Sequence, residues 1–247
     1  MNKKVYIIII VLIVIMFIPI LLYVTFYKTN NSTYLILPGN EIYTLESGKL
    51  NKVNDEIKKP LDIVFISDEE KKLTFTYKSN QILFYEDDEP IIIPDSFKVA
   101  YSNKKNLNLV DYKIENINSE NLPKFSDILK KHDIIGYDYL TTSEKLSYDF
   151  DNDGKNEELY FVSNLFEELK YDKVFSFVYY IKDDEVIYLQ EDVIESENAY
   201  DICVSDINSI IDISGNKIMT ITCEYFSEIG DENNIYNYQK SKFNQLN

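Results

Sequence analysis

Residues 147–159 read Ser-Tyr-Asp-Phe-Asp-Asn-Asp-Gly-Lys-Asn-Glu-Glu-Leu. Carboxylates occupy every second position, Asp149, Asp151 and Asp153, and Gly154 follows as the sixth residue of the run. Hard oxygen donors in that rhythm wrap a calcium ion, and glycine permits the sharp turn that brings later donors round. On this pattern Asp149, Asp151 and Asp153 supply side-chain oxygens, Lys155 its backbone carbonyl, and Glu157 a direct or water-mediated contact, giving one Ca2+ site. An EF-hand loop demands glutamate at position twelve, and Tyr160 stands there. A plain Asp/Asn/Gly turn that binds no metal has the same composition, so only a calcium measurement separates the two.

Other reactive groups are sparse. All 25 basic residues are lysine, Trp is absent, and His132 is the single histidine. Ile, Asn, Lys and Tyr are abundant, as expected from an A/T-biased genome. Without arginine there is no bidentate fork for carboxylate or phosphate. One histidine cannot build a histidine-rich zinc site. His132 reads as a residue capping the end of a helix, and no G-x-S-x-G elbow accompanies it. Cys203 and Cys223 form no CxxC pattern and lie in apolar, β-branched surroundings. They fit either a disulfide of an exported domain or two buried free thiols.

Around the acidic loop the chain is mostly strand. Tyr34 to Leu37, Glu41 to Leu45, Leu61 to Ile66, Leu73 to Tyr77, Gln81 to Tyr85 and Pro90 to Ile93 are short apolar or alternating runs. Pro38-Gly39, Ser47-Gly48, Ser79-Asn80 and the charges 86–89 break them, and Asp183-Asp184-Glu185 reads as another hairpin tip. This argues for a mainly β, or α+β, exported domain. One helix is expected near 121–132, opening Asn121-Leu122-Pro123 and closing Lys130-Lys131-His132, where cations suit the helix dipole. Leu146 to Asp149 enters the acidic loop extended, and Glu158 to Ser163 leaves it as a strand.

A strand, a carboxylate loop and a second strand resemble the calcium loops of FG-GAP (integrin-like) and VCBS repeats. That family carries the pattern DxDGDGxxEL in β-propeller blades or related β-repeats, here within what looks like a membrane-anchored bacterial-type surface protein. The resemblance is carried by residues 146–165 and departs from the family elsewhere, since no FG…GAP string is present. A degenerate second copy supports a repeat. Ile221 to Glu228 aligns with Phe161 to Glu168, and Tyr238-Gln239-Lys240 aligns with Tyr180-Ile181-Lys182. The second loop retains only Asp212 as an acid and is expected to bind no calcium. At roughly 40 to 50 residues per blade, the chain is too short for a full propeller.

The rest of the chain divides sharply by polarity. Residues 1–4 form a short tip with Lys3 and Lys4. Residues 5–27 then run 23 positions without a charge, enough to span the roughly 30 Å hydrocarbon core as a transmembrane helix. The run lacks a small-residue cleavage site, so it reads as an uncleaved signal anchor. Positive-inside orientation leaves the N-terminus cytoplasmic and places the large domain outside the cell membrane. A linker, 28–33, leads to a β-rich region, 34–145, and a tandem β-repeat region, 146–247. After residue 27 the chain holds 23 lysines against 42 acids, a net of −19. That charge excludes nucleic acid as a partner and leaves an envelope protein or polymer as the partner class, besides the membrane itself. The combined expectation is a single-pass, calcium-stabilised protein with a binding or structural role and no catalysis. The competing classes are an envelope hydrolase using paired carboxylates and a sensor or accessory subunit of an envelope complex.

Overall fold

A computed structural model describes residues 33–46, 49–66, 70–93, 97–102, 107–134, 142–165, 172–213, 215–225 and 232–246. The apolar run 5–27 and most of the linker lie outside them. Among the described residues no helix is long and apolar enough to cross a membrane.

Among the described residues the fold is mainly β, with three antiparallel sheets and no barrel. The first sheet takes its strands from one stretch of chain: β1 (Thr33–Leu37), β2 (Glu41–Glu46), β3 (Lys49–Lys52), β4 (Ile57–Ile66), β5 (Glu70–Lys78), β6 (Gln81–Glu86), β7 (Glu89–Ile91) and β8 (Val99–Ser102). Their order is β3-β2-β1-β8-β4-β5-β6-β7. The second sheet is a meander of β10 (Lys113–Asn116), β11 (Thr142–Tyr148), β12 (Glu157–Ser163), β13 (Lys173–Lys182) and β14 (Glu185–Glu195). The third joins β9 (Leu107–Leu109) to β15 (Cys203–Ile213), β16 (Asn216–Tyr225), β17 (Glu232–Tyr238) and β18 (Phe243–Gln245).

Two five-stranded sheets therefore run in the same order, an edge strand followed by four strands joined by hairpins. β11 and β12 in one occupy the places of β15 and β16 in the other. The two sequence copies, Phe161 to Glu168 and Ile221 to Glu228, begin within β12 and β16, and their 166–168 and 226–228 positions lie outside the described residues. Position 146, where the sequence places the start of the repeat region, falls within β11.

Alternation decides how the layers stack. Leu146, Leu159, Phe161, Val178 and Tyr180 of the second sheet pack against Ile207, Ile210, Met219, Ile221 and Tyr236 of the third. The third sheet's other face, through Ile211, Ile218 and Ile235, packs on Leu35, Leu37, Val64 and Tyr101 of the first. The second sheet's outer face carries Phe175, Phe177 and Tyr179 and is covered by α1 (Phe125–Lys131), with Phe125 and Ile128 buried against it. β13 is thus enclosed on both faces, and every residue from Val174 to Tyr180 is buried, Ser176 included.

Turn chemistry appears where the sequence places it. Ser79-Asn80, Asp87-Asp88 and Asp183-Asp184 all have positive φ at both residues and close two-residue hairpins, Lys78 opposite Gln81, Glu86 opposite Glu89 and Lys182 opposite Glu185. Asn and Asp tolerate the left-handed region that the strand twist demands of such turns.

The helix is shorter than the sequence suggests. It begins at Phe125, behind a left-handed Lys124 and a separate 3-10 turn, Ser119–Asn121. Pro123 disfavours helical backbone at the residue before it, and Leu122 is accordingly extended.

Candidate metal site in the β11–β12 loop

Tyr148 pairs with Glu157 across the β11–β12 ladder, so residues 149–156 form the loop between them. Its turn is built by the carboxylates themselves. Asp149 accepts the amide of Asp153 at 3.1 Å on Oδ1 and that of Gly154 at 3.0 Å on Oδ2. Asp151 accepts the Asp153 amide at 3.2 Å, and Asp153 accepts that of Lys155 at 2.8 Å. Asn152 and Gly154 both adopt positive φ, +62° and +86°. At Gly154 a β-carbon would be strained by the backbone itself although space around it is open.

The consequence is convergence. One oxygen each from Asp149, Asp151 and Asp153 lies within 4.8 Å of the other two. Three anionic oxygens crowded in this way repel one another, and a hard divalent cation is the partner that relieves the repulsion. The donor set suits calcium rather than zinc, since it offers oxygen only.

Of the other predicted ligands, Lys155 contributes its amide to Asp153, and Glu157 stands outside the group of three. The Glu157 Oε2 instead accepts the Phe150 amide at 2.8 Å, tying the loop's first turn to its last residue. Burial pushes the Glu157 carboxyl above its usual range; the Phe150 amide opposes this, and the charges of Asp151 and Asp149 add to it. Beside it the Tyr238 hydroxyl is pushed up to about 12, mainly by burial and then by Glu157. Asn156 completes the collar by donating to Ser147 Oγ at 3.1 Å.

Two residues that the sequence pattern does not flag hold the loop in place. Phe150 occupies a filler position of the motif, yet its ring is buried among Tyr148, Tyr238 and Phe243 at the end of the sandwich. Lys217, on β16, is 6% exposed. Its ammonium donates to the Asp149 carbonyl at 3.0 Å and to Asn152 Oδ1, and stands 5.3 Å from the Tyr148 ring centroid. Nothing in the sequence joins positions 149 and 217; only the stacking of the two meanders does. Lys217→Met should therefore have two opposed effects. Losing two hydrogen bonds costs the fold about 1–2 kcal/mol, while removing a positive charge beside the acidic loop tightens calcium binding a few-fold. Denaturation and calcium titration of the same variant measure both, and unchanged stability together with unchanged calcium affinity would contradict the assignment.

The equivalent turn in the third sheet is different. Asp212 Oδ1 accepts the Gly215 amide at 2.7 Å, forming a short turn around one carboxylate. His132 ends α1, where its amide meets the carbonyls of Ile128 and Leu129. Its ring lies 5.3 Å from that of Phe177, with Nε2 3.1 Å from Glu191 Oε1. Burial pulls its pKa down, with Glu191 opposing.

Compared with protein-family models, with curated proteins and with solved structures, the chain matches none.

Proposed function

We propose that the chain is a single-pass protein of the cell membrane whose acidic β-domain lies outside the cytoplasm and is stabilised by one calcium ion. Asp149, Asp151 and Asp153 hold the ion, with Glu157 and the Lys155 carbonyl completing the shell as in the FG-GAP and VCBS loops that the sequence resembles. The role is binding or structural. The observation that carries the reading is the convergence of the three aspartates on a loop clamped between two paired strands. The uncharged run 5–27, preceded by Lys3 and Lys4, supplies the anchor and its orientation. The bridge between Cys203 and Cys223 suits an oxidising compartment.

Calcium titration of the full-length chain in detergent micelles tests the site. Extracellular calcium modules have dissociation constants of about 10⁻⁴–10⁻³ M, so calcium a few-fold above that stabilises the fold by about 1 kcal/mol. The rise in Tm should vanish in the Asp149→Asn, Asp151→Asn double variant and be smaller with magnesium. An unchanged Tm in the parent, or an unchanged calcium response in the variant, would refute the site.

A further inference from the structure

The chain contains a single Asp-Gly pair and no Asn-Gly pair, and the Asp-Gly pair is Asp153-Gly154 in the β11–β12 loop. Glycine leaves the main-chain nitrogen that follows an aspartate unshielded, and that nitrogen can attack the carboxyl carbon of the side chain before it. Both residues are exposed. Chain neighbours aside, no atom lies within 4 Å of where a β-carbon on Gly154 would stand. The approach is open, and so is the space for the ring that it closes.

The turn also places the reacting groups. Asp153 Oδ1 accepts the Lys155 amide at 2.8 Å. The ring closed by that bond includes the Gly154 nitrogen, so the Asp153 carboxyl is folded back along the peptide that would attack it. The same bond draws electron density away from the carboxyl carbon. From the other side, the Gly154 N–H donates to Asp149 Oδ2 at 3.0 Å, which sets a carboxylate where the amide proton would leave. The neighbouring aspartates lack this arrangement. Phe150 follows Asp149 with a buried ring and gives its amide to Glu157, and Asn152 follows Asp151.

We infer that Asp153-Gly154 is a site of isoaspartate formation and that calcium in the loop suppresses it. The Gly154 nitrogen bonds to Asp153 Cγ, and one Asp153 oxygen leaves as water with the amide hydrogen and a proton from solvent. Water then opens the resulting succinimide at either carbonyl. One opening restores aspartate, and the other gives isoaspartate, whose main chain runs through Cγ and whose free carboxylate sits on Cα. That product lengthens the backbone by one carbon and withdraws the donor that converges with Asp149 and Asp151, so the loop loses its ion. Bound calcium engages the Asp153 carboxylate and keeps it from the nitrogen. The protection rests on the calcium reading; the rearrangement does not.

Ageing the full-length chain in detergent micelles, at neutral pH and body temperature in heavy-oxygen water, tests both halves. One arm contains a calcium chelator and the other saturating calcium. Proteolytic peptides are separated by chromatography, and the isoaspartyl form is located by electron-transfer fragmentation. In chelator the peptide holding Asp153 should gain an isoaspartyl form carrying one heavy oxygen, while the other aspartates stay unchanged. Calcium should slow this several-fold, and Gly154→Ala, which covers the nitrogen, should slow it several-fold in chelator. No isoaspartate at 153 in chelator, over a time in which the free peptide 147–159 is largely converted, would overturn the inference. So would an equal rate in Gly154→Ala. Equal conversion with chelator and with calcium would sustain the rearrangement and overturn the protection.

Discussion

Replacing Phe150 with alanine should cost the fold about 3–4 kcal/mol and abolish the calcium response in the same variant. The residue lies between two of the proposed ligands, so its backbone belongs to the loop while its ring belongs to the core. That ring is 2% exposed and meets Tyr148, Tyr238 and Phe243 at centroid distances of 5.2, 6.1 and 5.0 Å. Truncating a buried phenylalanine typically costs about 3–5 kcal/mol, because the cavity left behind collapses only in part. At the end of a sandwich, where neighbours relax more easily than at its centre, the lower half of that range applies. The effect on calcium follows from attachment. The Phe150 amide is held by Glu157, and the ring fixes the segment between Asp149 and Asp151, so losing the anchor frees the aspartates to separate under their own repulsion. Denaturant unfolding with and without calcium measures both effects. A cost below about 1 kcal/mol, or a calcium shift equal to the parent's, would show that the ring does not position the site. Phe150→Leu should recover part of the stability, since it refills much of the volume.

How much of this was legible in advance depends on the range of the interaction. The hairpin tips at Ser79-Asn80, Asp87-Asp88 and Asp183-Asp184 are written locally, because Asn and Asp tolerate positive φ and the flanking runs are apolar. The mainly β character follows from residue pattern in the same way. Partnership between distant strands does not. β9 belongs with β15, about a hundred residues later, and Leu107 to Leu109 carry no mark of that choice. The loop divides along the same line. Its aspartates and glycine form a contiguous motif with a physical meaning, so they are visible at once. Lys217 and the aromatic socket around Phe150 arise only when two sheets pack, and their residue types have ordinary explanations elsewhere.

The cysteines show the same division with a larger energetic consequence. From sequence they fit a bridge or two buried thiols, because 20 positions of chain say nothing of distance. The β15–β16 register settles their proximity. Cys203 stands opposite Tyr225 and Cys223 opposite Ser205, diagonal neighbours on adjacent strands with α-carbons 5.4 Å apart, and the two sulfurs are bonded. That separation lies within the ordinary range for disulfides. Removing the bridge, by reductant or by Cys203→Ala with Cys223→Ala, frees an unfolded-state loop of that length. Loop-closure entropy puts the loss at about 3 kcal/mol, a substantial share of the roughly 5–15 kcal/mol that holds a typical domain together. The bridge also fastens the third sheet from within, since both residues are buried, so the folded protein should resist reductant until it is partly denatured. Thiol alkylation gives the direct check. Neither cysteine should react in the unfolded protein until reductant is added, and denaturant midpoints should fall once it is. Two thiols that alkylate in the non-reduced, unfolded chain would show that the pair is not bridged as made. The argument for an oxidising compartment, and with it one support for a domain outside the membrane, would then be lost, while the calcium loop would stand or fall on its own titration.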